Sequence, residues 1–268
     1  MQRLIKRCIR RAHLLLAGIP AAEEWFRKYG NPNIELICSA TSSSEDVCRA
    51  ARDARATRDI TAPFTFASCG GLSYYRGVDL TIRAFAKAKL PNARYVHVCD
   101  GALRQTCEEL ASELGVADRV HLVGDIGHLE GVKTVARADA CVHMVLRDSQ
   151  GILCEIMQAG VPVITLDHLT PAMLVTSASG HLIPIHEASS PDDLVDELAK
   201  VMRQWHDDHA LVAAKSRAAA ERGRSFSPSV KGETYRAQHL RVLRQIHAGR
   251  CKNSDRGCCC QENRRAET

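Results

Sequence analysis

Aromatic residues are scarce. Two Trp, five Tyr and five Phe make up 4% of the 268-residue chain. Proteins that hold single-stranded nucleic acid interleave stacking aromatics with a basic stripe, and no such stripe occurs here, so nucleic acid is not an expected partner. Long apolar runs are missing too. Ile152 to Cys154 and Val161 to Leu166 fall far below the roughly 20 residues a spanning helix needs. Ala12 to Ile19 is a short apolar run without a clear small-residue cleavage site, which argues against a signal peptide. A soluble, cytoplasmic protein is the expectation. The chain has 12 cysteines, yet none are paired as Cys-x-x-Cys, which argues against a zinc site.

What is present is ordinary globular composition, 45% hydrophobic and 25% charged, with a mild net charge of +5. The length suffices for one large or two small domains. Arg3, Lys6, Arg7, Arg10 and Arg11 form a basic patch. It reads as a solvated helix face, or as a contact for a membrane surface or a partner. Cys8, Cys38, Cys48, Cys69, Cys99, Cys107, Cys141 and Cys154 lie mostly within apolar patterns and read as reduced core residues. Cys251, Cys258, Cys259 and Cys260 belong to a polar, Arg-rich tail over 248–268, expected to be disordered.

From Phe64 to Ile185 apolar strands alternate with helical stripes. Strands are expected at Phe64–Cys69, Tyr95–Cys99, Val120–Val123, Ala140–Val145, Val161–Leu166 and His181–Ile185. Helices are expected after 77, over 103–114, 129–138 and 151–159. This order requires an α/β fold with a mostly parallel, Rossmann-like sheet and right-handed crossovers. Residues 191–225 read as wholly helical, with a second helix over roughly 208–222, and another helix runs from about 229 to 247. Residues 1–40 make a small further α/β unit. Residues 41–62 are polar, carry little helix signal and read as a linker. The remaining boundaries fall at 63–225 for the main domain, 226–247 for a last helix and 248–268 for the tail.

In such a sheet the ligand crevice lies beyond the carboxyl ends of the strands, so three loops converge. In the first, Gly70 and Gly71 allow close backbone approach, and Arg76 adds a forked cation beside the next helix N-terminus. It suits a phosphate, or is a glycine turn with a surface Arg. In the second, Asp100 and Gly101 open a helix, where Asp100 caps it or contacts a ligand. In the third, Asp148 precedes an amphipathic helix that carries Glu155, with Ser149, Gln150, Gly151 and Ile152 between them. Backbone amides there suit an anion or hydroxyl. Glu155 either reaches back to that mouth or simply complements the helix dipole. Two carboxylates bracketing a helix start can hold a sugar nucleotide. His143, at the preceding strand end, is read as structural or as a sugar contact.

Over about residues 64–247 these motifs resemble the donor-binding C-terminal domain of GT-B glycosyltransferases of family 4, the group 1 class. The match runs through Gly70-x-Leu72, Tyr75-Arg76-Gly77-Val-Asp-Leu80, Asp100-Gly101-x-Leu-Arg104 and Glu113-Leu-Gly-Val-Ala-Asp-Arg-Val-His121. It continues through Leu146-Arg-Asp-Ser149, Glu155-x-Met-x-Ala-Gly-Val-Pro-Val163 and Phe226-Ser227. The resemblance implies a retaining hexosyltransferase in polysaccharide or glycoconjugate synthesis, taking a nucleotide diphospho-sugar and an unidentified hydroxyl acceptor, with no cofactor and no obligatory metal. Glu155 would hold the ribose, Asp148 the donor sugar and Arg76 the diphosphate. Amides from Ser149 to Ile152 would face sugar and phosphate, and Gly124, Asp125 and Ile126 the base. The resemblance also marks differences. Gly71 stands where the family usually has Arg, Asp148 and Glu155 are seven residues apart instead of eight, and residues 1–40 match only the end of the acceptor-side domain. A non-catalytic nucleotide-sugar module, or one half of a split enzyme completed by a partner chain, is the alternative.

Overall fold

The computed structural model describes residues 2–18, 20–31, 33–36, 40–147, 152–186 and 190–252. The chain opens with α1 (Gln2–Arg11), β1 (Leu15–Ala17), α2 (Pro20–Arg27) and β2 (Ile34–Leu36). β1 and β2 form a separate parallel pair, with Leu15 opposite Ile34. Asn31 is buried there, and its Nδ2 donates to the carbonyls of Ile9 at 2.5 Å and Ala12 at 2.9 Å. That fastens the end of α1 to the loop before β2.

The stretch read as a linker holds a helix, α3 (Glu45–Ala56). Ser44 caps it by accepting from the Val47 amide at 3.2 Å, and Glu45 and Asp46 complement the dipole of its first turn. Its buried face is Cys48, Ala51 and Ala54. Such small residues leave little mark on a hydrophobic pattern, which is why periodicity missed the helix.

The main unit continues with β3 (Phe64–Cys69), a 3-10 turn (Tyr74–Arg76), α4 (Val78–Ala88), β4 (Ala93–Val98) and α5 (Arg104–Glu113). Then come β5 (Val120–Gly124), α6 (His128–Ala136), β6 (Ala140–His143), α7 (Leu153–Gln158), β7 (Val163–Leu166), α8 (Leu169–Leu174) and β8 (Gly180–Ile183). Three helices close the chain: α9 (Pro191–Asp207), α10 (His209–Arg224) and α11 (Pro228–Lys252). The six strands β3 to β8 form one sheet in the order β5-β4-β3-β6-β7-β8, every pairing parallel. This is the expected Rossmann-like α/β fold.

Helices cover both faces, so the strands read as near-continuous apolar runs. On one face Phe66, Phe85, Tyr95 and Trp205 pack among α4, α5 and α9. On the other, Ala67, Cys141, Val163 and Phe226 pack with residues of α3, α6 and α7. α11 reaches the small N-terminal unit, where Gln238 Nε2 donates to Glu35 at 3.2 Å and Arg241 pairs with the same carboxylate.

Several local expectations are corrected. α7 is not amphipathic: all six of its residues are buried, because α3 and α10 both pack against it. Cys8 is exposed, whereas Cys48, Cys107, Cys141 and Cys154 are buried and Cys69 and Cys99 partly so. α8 follows β7 where no helix was read. α11 runs to Lys252, into the stretch expected to be disordered; residues 253–268 and Cys38 lie outside the described residues.

Candidate functional site

The strand order reverses between β3 and β6. At such a switch point the two crossovers leave on opposite sides, and a crevice opens beyond the strand ends. The loops after these two strands are 70–77 and 144–152. Leu146 N donates to the Tyr75 carbonyl at 2.8 Å, so they touch directly. The loop after β4 joins them, because Leu72 N donates to the Asp100 carbonyl at 3.1 Å and Leu103 N to the Leu72 carbonyl at 3.3 Å. The first two expected loops and the described start of the third, Leu146 and Arg147, therefore lie together. A cavity of about 460 Å³ lies elsewhere, beside Phe64, Asn92 and Arg94 where β3 and β4 begin, and has no part in this crevice.

In the first loop the Arg76 guanidinium lies over Gly70, its Cζ 3.1 Å from where a Cβ would stand. Gly71 is less confined: a Cβ there would meet only the Asp100 carbonyl, at 3.6 Å. Arg76 and Arg147 both lie against the Tyr75 ring, at 5.3 and 5.0 Å from its centroid. Two guanidinium groups thus stand at one mouth, where an anion would be held. Hydrogen bonds from Ser73 and Arg76 hold the Tyr75 hydroxyl below the usual phenol range.

Asp100 does not cap α5, whose N-cap is Leu103. Its Oδ1 instead accepts from Arg104 Nε at 2.9 Å and from Gly101 N at 2.8 Å. These bonds, Arg104 foremost, hold its carboxyl below the usual carboxylate range. Gly101 is required by packing: a Cβ would stand 2.5 Å from the Leu72 carbonyl oxygen. Gly124 accepts from Cys99 N at 2.9 Å and has the Arg104 guanidinium over it. Asp125 accepts from Gly127 N at 3.0 Å in a local turn, and Ile126 packs on the core. Asp100, Gly101 and Gly124 therefore form one braced unit at the ends of β4 and β5.

Across the switch point, Glu155 on α7 is 2% exposed. Its Oε1 accepts from Ser43 N at 2.7 Å, and His128 Nε2 lies 3.8 Å away. Its Oε2 is buried and has no hydrogen-bond partner among the described residues. A buried carboxylate oxygen without a donor is costly, and a hydroxyl-bearing ligand would supply one. Ile152 N-caps α7 with its side chain in the core. His143 is buried, and its carbonyl accepts from Thr165 Oγ1 at 2.9 Å. Asp148, Ser149, Gln150 and Gly151 lie outside the described residues.

Sequence reasoning missed Ser43, His128 and Arg147. Ser43 reaches Glu155 from 112 residues away, through the segment taken for a linker. Its Oγ also meets His128 Nε2 at 3.2 Å. No local pattern encodes such a contact. Arg147 was legible as a cation next to Asp148, but only its approach to Tyr75 aligns it with Arg76. Among the described residues no group of three or more His, Cys, Asp or Glu is placed to hold a metal ion.

Comparison with known proteins bears on the family and the fold. The family model described as glycosyl transferases group 1 matches residues 52–220, more than half the chain. The uncharacterized glycosyltransferase MJ1607 of Methanocaldococcus jannaschii is 29% identical over 147 residues, 51% of this chain and 35% of that protein. Anabaena Alr3699/HepE, solved with UDP and glucose, is similar at TM-score 0.66 and 19% identity, covering 89% of this chain and 66% of its own. The pneumococcal O-GlcNAc transferase GtfA, solved with UDP and GlcNAc, is similar at TM-score 0.66 and 18% identity, covering 83% and 43%. The chain thus spans about a third of that curated relative and less than half of GtfA.

Proposed function

The chain belongs to the glycosyl transferases group 1 family, and from that premise we propose that it moves a hexose from a nucleotide diphospho-sugar to an acceptor hydroxyl with retention of configuration. The observation that carries this reading is Glu155, a buried carboxylate beside the switch point whose Oε2 has no donor among the described residues. Paired ribose hydroxyls are the donors that suit it. Arg76 on the β3 loop and Arg147 on the β6 loop meet at the Tyr75 ring, where a diphosphate would lie. The UDP in the HepE and GtfA structures favours UDP as the nucleotide.

In the proposed reaction the acceptor oxygen bonds to the sugar C1 as the bond from C1 to the diphosphate oxygen breaks, on the same face. The acceptor proton leaves with the diphosphate. Arg76 takes up the charge growing on that leaving group, which lowers the barrier because the cation is positioned beforehand. Asp148 would orient the donor sugar, Ser149 to Ile152 would offer amides, and Gly124, Asp125 and Ile126 would border the base. This arrangement asks for no cofactor and no obligatory metal. Synthesis of a polysaccharide or glycoconjugate in the cytoplasm, at the membrane surface or beside a partner chain, fits these roles. Among the described residues no helix is long and apolar enough to cross a membrane.

The test is calorimetric binding of UDP- and GDP-sugars together with a sugar-release assay. Glu155→Ala, with the fold retained, should weaken nucleotide binding by about tenfold or more, the loss of charge-assisted hydrogen bonds to ribose. Unchanged binding would remove the ribose role. Binding without any release of sugar would favour the non-catalytic module or the half-enzyme.

A further inference from the structure

We propose that His97 is a positioning residue for the anion loop: with Ser68 and Tyr95 it forms a one-way hydrogen-bond relay ending on the Gly70 carbonyl. This rests on the donor-site reading above and adds a residue that touches no ligand.

Ser68 and His97 are cross-strand partners on β3 and β4, two positions along from the Phe66–Tyr95 pair. The Tyr95 hydroxyl and Ser68 Oγ are 2.5 Å apart, Ser68 Oγ and His97 Nδ1 2.6 Å, and His97 Nε2 and the Gly70 carbonyl oxygen 2.8 Å. The directions follow from the last link. A carbonyl only accepts, so Nε2 carries the hydrogen. In the neutral ring Nδ1 then accepts, Ser68 donates to it, and Tyr95 donates to Ser68. Burial keeps the ring neutral, with an ordinary pKa pulled down to about 4.

The relay sits in the core, not in the crevice. Tyr95 is fully buried and His97 is 1% exposed. The cavity that His97, His143 and Arg76 border measures only about 10 Å³, room for one water and no larger group. What His97 reaches is the backbone of Gly70. The Arg76 guanidinium rests on that same glycine. Setting the Gly70 carbonyl therefore sets both the peptide plane leading to the Gly71 amide and the seat of the cation. Three polar side chains buried in the sheet carry a desolvation cost, which a fixed anion-binding backbone would offset.

The experiment compares affinity for the nucleoside diphosphate with that for the nucleoside, UDP against uridine and GDP against guanosine, in the full chain. His97→Leu should lower the diphosphate-to-nucleoside affinity ratio about tenfold, the worth of one well-placed hydrogen bond, and leave nucleoside binding unchanged. His97→Gln keeps an N–H able to reach Gly70 and should recover most of the ratio. Nitrogen NMR of the wild type should show His97 protonated at Nε2 alone near neutral pH, a result independent of whether His97→Leu folds. The Nδ1–H tautomer, or an unchanged ratio in folded His97→Leu, would overturn the relay while leaving the donor reading intact. Failure of the wild type to bind any nucleotide would overturn the donor reading, and this inference with it.

Discussion

Gly71 shows how one side chain can tune the anion loop. A Cβ at this position meets only the Asp100 carbonyl, at ordinary contact distance, so a longer side chain can leave toward the crevice. Gly71→Arg should bind UDP or GDP about tenfold tighter in calorimetry, since a charge-assisted contact to phosphate adds roughly 1.5–3 kcal/mol. No gain would count against the loop's assignment. His97 governs a second effect. Burial, with smaller repulsion from Arg76 and Arg104, lowers its folded pKa to about 4, against an ordinary 6.5, although the bond to the Gly70 carbonyl and the nearby Asp100 carboxylate oppose the shift. Above 6.5 both states are neutral, and below 4 both are protonated. Between these values only the unfolded chain takes the proton, so stability falls as pH falls from 6.5 to 4, by about 3 kcal/mol. His97→Gln should flatten that part of the urea-stability profile; an unaltered slope would place the acid sensitivity elsewhere.

At the scale of elements, α7 is held by close approach. A Cβ on Gly223 of α10 would stand 2.4 Å from the Gln158 amide nitrogen. Gly223→Ala must push α10 away from α7, at about 1–3 kcal/mol for overpacking, and should shift the denaturant midpoint down with an unchanged slope. α3 is anchored differently. Arg55 sends Nη1 to the Ala136 and Ala138 carbonyls, at 3.1 and 2.7 Å, and Nη2 to Ser216 Oγ at 3.0 Å. Its guanidinium thus satisfies the end of α6, although burial pulls it down to about 10. The strands β3 to β8 and the helices α4, α5 and α9 were legible because large apolar residues recur along them at strand or helix spacing. α3 was not, because its inward face is Cys and Ala. α7 was misread because its polar residues Glu155 and Gln158 point at the Ser42–Ser43 backbone and hydroxyl, not at solvent.

For the molecule as a whole, a ligand bridging the β3 and β6 loops ties together helices on both faces of the sheet, so it should stabilise the fold as one unit. At a concentration a hundredfold above its dissociation constant, a UDP- or GDP-sugar should add about 3 kcal/mol and raise the melting temperature by about 5–10 °C. No shift with either nucleotide would argue against the donor site. Sequence by itself determined the α/β class, the family and the three loops, including Arg76, Asp100 and Glu155, because strand–helix alternation and turn chemistry are local signals. The tertiary structure alone decided that Ser43 closes on Glu155, that Arg147 joins Arg76 over Tyr75, and that Tyr95, Ser68 and His97 brace Gly70. Those contacts join residues that only the pairing of strands and the packing of helices bring together, and no spacing along the chain encodes them.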